Sequence, residues 1–400
     1  MKIIDFVLDQ DSEYVTASAR VIFEDSSRSE KKIFIKTTLE NARGFDVKPD
    51  AFLVGCLLPA LHLGEKRIFV EGRICPFLRE GVNVAMNILA HWTRGEYAPI
   101  KIEAQDWETQ DMETKDRENQ DRENQDRENQ DREMADEFKG PRAGMVMSGG
   151  MDSLAALRLN RLNYPLDHPA RVKDSFFLHG FDIGGVVERG MKFHVFDRAK
   201  EAILKITRDA GTCLIPVYTN IRHLCDERKL WLDSFFGAVL AAMAHSFTNR
   251  INLMFIGSSY DIPNLHPCGS HPLLDPEYSS YNMRIRHRDY ELSRLEKIKI
   301  VSNWDTAFQN FRVCLANVPD RLNCGKCEKC VRTMTELTAL GLLHKTSAFV
   351  EDEVTSADIE QFDITIRVRP PFYRPMIPLL RNQGRDDLAD TIEKLLKKGT

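Results

Sequence analysis

The chain has 400 residues, 42% hydrophobic and 29% charged, an ordinary globular composition with room for two to three domains. Its formal net charge is −5, but residues 105–134 hold twelve acids against five bases, a net of −7, so the remainder carries about +2. That balance gives no support to broad nucleic-acid binding, and no apolar run approaches the ~18 residues that span a bilayer. The first thirteen residues turn acidic too early for a signal peptide. Nine cysteines, odd in number and unevenly spaced, point to a reducing cytoplasm and a bound metal rather than a disulfide framework.

Residues 1–104 read as a small α/β accessory domain. Runs rich in β-formers occupy 2–8, 14–23 and 32–37, and the last two flank a polar turn as a hairpin does. Pro49-Asp50 opens a helix with Phe52, Leu53, Cys56, Leu57 and Leu61 largely on one face, and Gly64 stops it. Residues 66–70 suggest a short strand, and Leu78, Val82, Ala85, Met86 and Leu89 mark an amphipathic helix. Cys56 and Cys75 read as core. Residues 105–139 form a linker built on a pentapeptide repeat, with QDREN twice over at 120–129. A five-residue period matches neither a helical nor a strand face, so no core can form around it.

The stretch at 144–157, GMVMSGGMDSLAAL, organises the rest of the chain. Its short apolar run suits a buried parallel strand. Ser148-Gly149-Gly150 allows a tight turn in which the backbone approaches a ligand. Asp152 and Ser153 stand where a helix begins. Strand, glycine turn and helix N-terminus together make an anion site suited to phosphate. The turn has no lysine and is not a Walker A loop.

Further strands are expected at 175–178, 212–217 and 251–256, with helices at 197–210 and 231–247 between them. This alternation implies a doubly wound parallel sheet. His179-Gly180-Phe181 ends the second strand, where such a sheet meets an adenosine. Residues 266–281 contain Pro267, Pro272 and Pro276 and read as an irregular substrate-covering loop rather than a second metal site. A helix at 291–301 carries Arg294 and Lys297 toward either the site or solvent. Cys314, Cys324, Cys327 and Cys330 form C-x9-C-x2-C-x2-C, a spacing that closes a tetrahedral Zn2+ site, with an iron–sulfur cluster as the alternative. Residues 347–400 show a strand at 364–368, a proline-rich stretch and a final helix at 385–397 with Leu388, Ile392 and Leu395 as its apolar positions.

The SGGxDS turn resembles the PP-loop of the ATP pyrophosphatases, which split ATP into AMP and pyrophosphate. With the four cysteines some 160 residues later and Arg332 just after the last, residues 140–346 resemble the 7-cyano-7-deazaguanine synthase (QueC-like) family. The resemblance extends to the enlarged forms found in antiphage defence operons. It implies a Rossmann-like fold of the adenine nucleotide α-hydrolase type. ATP and Mg2+ would be held by Met147, Ser148, Gly149, Gly150, Met151, Asp152, Ser153 and Leu154, with Asp152 and Ser153 the catalytic pair and His179, Gly180 and Phe181 beside the nucleotide. Ser258, His271, Asp275 and Arg332 are the substrate candidates, and Zn2+ on the four cysteines is structural. The implied reaction adenylates the carboxylate of 7-carboxy-7-deazaguanine or a related acid. Ammonia then gives amide and nitrile, or a protein amine takes the acyl group. A cytoplasmic homo-oligomer without a membrane or nucleic-acid partner is expected. The domain at 1–104 and the extension at 347–400 are additions to the minimal family. The rival readings are a tRNA-modifying PP-loop enzyme, of the thiolation or lysidine type, and a non-catalytic nucleotide-binding scaffold. Near-neutral charge weighs against the first and the intact loop against the second.

Overall fold

The computed structural model describes residues 1–105, 142–183, 192–366 and 369–398. The linker with its pentapeptide repeat falls almost wholly outside the described residues. Three antiparallel strands open the chain: β1 (Lys2–Gln10) pairs with β2 (Tyr14–Ile22), and β2 with β3 (Lys31–Thr38). Helix α1 (Pro49–His62), β4 (Arg67–Arg73), α2 (Pro76–Trp92) and β5 (Lys101–Gln105) come next. Helix α2 buries Leu78, Val82, Ala85, Met86 and Leu89, as its period requires. Helix α1 does not present one face. Every residue from Ala51 to Leu61 is buried, because the helix is apolar all round and is covered on all sides.

The second half begins with β6 (Arg142–Val146), then α3 (Met151–Asn163), β7 (Val172–His179), α4 (Phe193–Ala210) and β8 (Cys213–Thr219). The expected helix at 231–247 is interrupted by a π turn at Trp231–Phe235 before α5 (Phe236–His245). Strand β9 (Ile251–Gly257) and an edge strand that the sequence pattern hid, β10 (Arg284–Arg288), complete the sheet. Alternation of arginine and isoleucine or histidine in RIRHR reads as polar, although Ile285 and His287 are buried.

All ten strands form one sheet in the order β10-β9-β6-β7-β8-β3-β2-β1-β4-β5. Strands β8, β7, β6, β9 and β10 are mutually parallel, with crossover helices on both faces. Residues 1–105 do not fold around a sheet of their own. Strand β3 pairs antiparallel with β8 through Ile35–Thr219, Lys36–Tyr218 and Thr37–Val217. The Asn220 side chain extends the seam, accepting from Phe34 N and donating to Lys32 O. The segment 1–104, expected as an accessory domain, is thus joined to the rest by hydrogen-bonded sheet.

Alternate residues of the strands feed two cores. Phe176, Leu178, Ile215 and Val217 pack under α1, α2 and α5, while Phe177, Leu214 and Tyr218 pack with α3 and α4. The second face also holds α6 (Arg294–Ser302), α7 (Asp305–Asn310) and α8 (Glu328–Ala339). In the last fifty residues, 364–366 form a bend where a strand was expected, and residues 367–368 lie outside the described set. The final helix, α9 (Asp386–Lys397), buries Leu388 and Ile392 against the body, with Leu395 partly covered. No helix of the described residues is long and apolar enough to cross a membrane.

Candidate functional site

Strand order reverses at β6, whose neighbours β7 and β9 lead to opposite sides of the sheet. In an open α/β sheet the crevice beyond the carboxyl ends at that point is the ligand site. The SGGMDS turn occupies it. Gly149 has φ +73°, a conformation that costs any L-residue with a Cβ, and Gly150 caps α3. Ser153 is buried, and its hydroxyl staples the turn. It accepts from Ser148 N at 3.3 Å, meets Ser148 Oγ at 3.2 Å and donates to Gly150 O at 3.1 Å. The first turn of α3, Met151, Asp152 and Ser153, leaves its backbone N–H groups without an intrahelical acceptor. Leu154 begins the helical ladder by donating to Gly150 O.

Three segments converge on this turn, two of them bringing cations. Helix α6 starts with a capping box between Ser293 and Glu296, which sets the helix direction. It brings Arg294 Nη1 to 3.3 Å and Lys297 Nζ to 4.0 Å from Asp152 Oδ1. Burial lowers the Lys297 ammonium, and its Nζ donates to Ser258 O at 2.6 Å. Arg294 also reaches Glu336 at 3.4 Å. Burial alone would lower the Arg294 guanidinium, but Glu336 and Asp152 more than offset it. The segment before Cys314 approaches through its backbone: Arg312 N donates to Gly149 O at 2.8 Å, while the Arg312 guanidinium bonds Asn317 Oδ1. Helix α8 supplies Lys329, Arg332 and Glu336, a stripe at helical spacing. Lys329 is exposed, yet its ammonium is pulled down by surrounding protein and by Arg332, with Asp182 and Asp152 opposing. Arg332 is buried, with its guanidinium 4.2 Å from the Phe372 ring and 3.6 Å from Glu328. Phe372, from the C-terminal extension, in turn meets Tyr260 at 5.7 Å.

The four cysteines hold two of these three approaches in place. Their ligand atoms all lie within 4.8 Å of one another, with Cys324 and Cys330 Sγ 3.8 Å apart and Cys327 and Cys314 Sγ 4.0 Å apart. Four thiolates ~2.3 Å from a tetrahedral Zn2+ stand about 3.8 Å apart. A four-iron cubane would need them wider. Lys326 N and Cys327 N donate to Cys324 Sγ, and Asn323 bonds Val313 N, Phe311 O and Ala348 O. The cluster therefore could hold a zinc ion, and it ties Arg312, two residues before Cys314, to the start of α8. Among the described residues no other His, Cys, Asp or Glu group is arranged to hold a metal.

The remaining expected residues divide. Ser258 ends β9 beside the turn, where a Cβ at Gly257 would lie 3.0 Å from Asp152 O, but its hydroxyl is engaged by Tyr260 O. His179, Gly180 and Phe181 do end β7. His179 is buried, stacked at 4.6 Å on Phe193, and Phe181 packs edge-on against Trp231 at 4.6 Å. The polar group presented here is Asp182, which accepts from Arg222 and from Trp231 Nε1, both at 3.2 Å. His271 and Asp275 are not brought to the turn. His271 stands edge-on to Trp92 of α2 at 4.9 Å. Asp275 is fully buried, taking bonds from Ser270 Oγ, His271 N and the His287 ring. Both sit with the α1, α2 and α5 layer, and Leu274 and Tyr278 are part of that core, so this half of the loop is packed structure. Sequence reasoning missed Arg312, Lys329, Asp182 and Glu336. The period of α8 after Cys327 carried a signal for Lys329 and Glu336, and nothing local carried one for Arg312.

No family model, curated protein or solved structure matches this chain.

Proposed function

We propose that the protein activates a small-molecule carboxylate by adenylation, splitting ATP to AMP and pyrophosphate, as the QueC-like resemblance implies. One observation carries the reading: an SGGMDS turn at the reversal point of a parallel sheet, faced by Arg294, Lys297 and Lys329, with Arg332 beside Lys329. Four cations beside one helix N-terminus suit a polyphosphate. The N–H groups of Met151, Asp152 and Ser153 and the Lys329 ammonium would bind the β- and γ-phosphates. A substrate carboxylate oxygen attacks the α-phosphorus, the bond to the bridging oxygen breaks, and pyrophosphate leaves with its charge neutralised by these groups. The acyl-adenylate then reacts with an amine, which forms the C–N bond and releases AMP. Asp152 Oδ2, the oxygen turned away from Arg294 and Lys297, would hold Mg2+, whose charge adds to that neutralisation. Zinc would be structural, since all four positions are thiolates. Deazaguanine acids are the substrate class expected, with ammonia or a protein amine as acceptor.

Pyrophosphate release with ATP and 7-carboxy-7-deazaguanine tests the proposal. The wild type should exceed an Asp152→Ala, Ser153→Ala double variant by about 10²-fold or more, the scale of losing preorganised charge-stabilising donors. Equal release from both sinks it, and release without any acid points to a plain ATPase.

A further inference from the structure

A second cavity, of about 260 Å³, opens on the α1/α2 side of the sheet. Its wall is made by His62 at the end of α1, Trp92–Tyr97 at the end of α2, Glu227–Ser234 and Pro267. None of these residues belongs to the SGGMDS turn or to the cysteine cluster. The floor is organised: Tyr97, 6% exposed, places its Oη 3.0 Å from His62 Nδ1, and His62 Nε2 lies 2.9 Å from Glu227 Oε2. Ser234 also lines it, is 5% exposed, and its hydroxyl has no hydrogen-bond partner among the described residues. Asp233 beside it has no ion-pair partner among them either. Both sit in the π turn at Trp231–Phe235. A π turn is a costly insertion in a helix and is found most often where side chains serve a ligand. Burial, followed by the charges of Glu96 and Glu227 and then Asp233, pushes the Tyr97 phenol up, so three carboxylates direct their field into one aromatic-lined space. Arg94 and Lys229 stand exposed at the rim.

We propose that this cavity binds an aliphatic primary ammonium group, held by Asp233, Glu96 and Glu227 over the Trp92 and Tyr97 rings with Ser234 as an additional acceptor. Each part of that chemistry has a partner in the wall. Carboxylates form charge-assisted bonds to ammonium protons. Indole and phenol faces attract the cation. Leu230 and Pro267 cover an apolar stem. The Ser234 hydroxyl, which lines the cavity, gains a partner on binding.

The test is titration of the full-length protein with n-butylammonium and, separately, with butyrate at constant ionic strength, followed by calorimetry and by ligand-observed NMR. Saturable butylammonium binding, weakened about tenfold by Asp233→Asn and by Glu96→Gln, is expected from losing one charge-assisted contact. Butyrate should not bind. Asp233 has no ion pair to lose, so D233N should melt with the wild type, and Glu96 is exposed, which makes E96Q an independent arm should D233N fold poorly. Absence of saturable binding, butyrate binding as tightly as the amine, or unchanged affinity in the folded variants overturns the proposal. The ATP chemistry is not needed for any of these readouts, so failure here leaves the adenylation reading standing, and the reverse.

Discussion

Asp174 shows how much a single residue holds. It is fully buried in β7 and accepts from Arg142 at 2.7 and 2.8 Å and from Arg250 at 3.0 and 2.9 Å. The carboxylate thereby joins the starts of β6 and β9 at the edge of the sheet opposite the SGGMDS turn. Removing it leaves two guanidiniums facing each other with little water. Asp174→Ala is expected to lower stability by about 3–5 kcal/mol, the cost of stranding buried charge. A urea titration checks this, and a loss below about 1 kcal/mol would show that the clamp contributes little. Nothing near Asp174 in the sequence marks it, because both partners are remote in the chain. Ser148–Ser153 is the opposite case: the groups that build the turn are contiguous, so the string itself displays them.

Among the elements, α6 decides how two of the cations meet Asp152. Its N-terminus is set by Ser293 and Glu296, whose Oε2 accepts from Ser293 N at 2.8 Å and Ser293 Oγ at 2.7 Å. These bonds hold the Glu296 carboxyl below its ordinary 4.5. A carboxylate depressed in the folded state stabilises above the unfolded value and loses that contribution as pH falls through the folded one. Glu296→Ala should therefore cost about 0.5–1 kcal/mol at pH 7, with the gap to wild type closing below about pH 4. Melting curves across that range measure it, and a gap independent of pH contradicts the cap. The capping pair S-x-x-E at 293–296 is visible in the sequence, although the expected helix began two residues earlier than its cap. Helix α8 is legible in the same way, since its N-cap is Cys327 of the cysteine cluster. Strand β10 is not, because an edge strand of arginines gains its place only from β9 beside it.

At the scale of the molecule, the cysteine cluster and the β3–β8 seam make the largest claims. One zinc per chain is expected by elemental analysis, and iron with labile sulfide would overturn that assignment. Chelation, or Cys330→Ser, should lower the melting temperature and abolish nucleotide binding together, because Arg312 and α8 lose their common anchor. Structural zinc contributes folding free energy on the order of 10 kcal/mol in small zinc domains. Full nucleotide affinity in zinc-free protein would separate the two sites. The seam makes a second prediction. Residues 1–105 share a sheet and the α1–α5 core with the rest, so calorimetry should give one transition. Two well-separated transitions would restore an independent N-terminal unit.

The sequence by itself determined the pieces whose physics is local. The strand–turn–helix at 144–157 depends on a glycine that reaches positive φ and on an apolar run of the right length. The cysteine cluster depends on thiols ten, three and three residues apart, and the period of α2 on side chains three and four apart. Tertiary structure alone decided what those pieces face. Four cations gather at one turn although they come from two helices far apart in the chain, and no local period records that. Loop residues 266–281 look poised over a substrate in the string, yet His271 and Asp275 lie on the other face of the sheet. Residues 1–105 read as a separate domain until β3 pairs with β8. Parallel and edge pairings are made between residues far apart in the chain, so their register is written in the shape of the completed core and not in any one stretch of it.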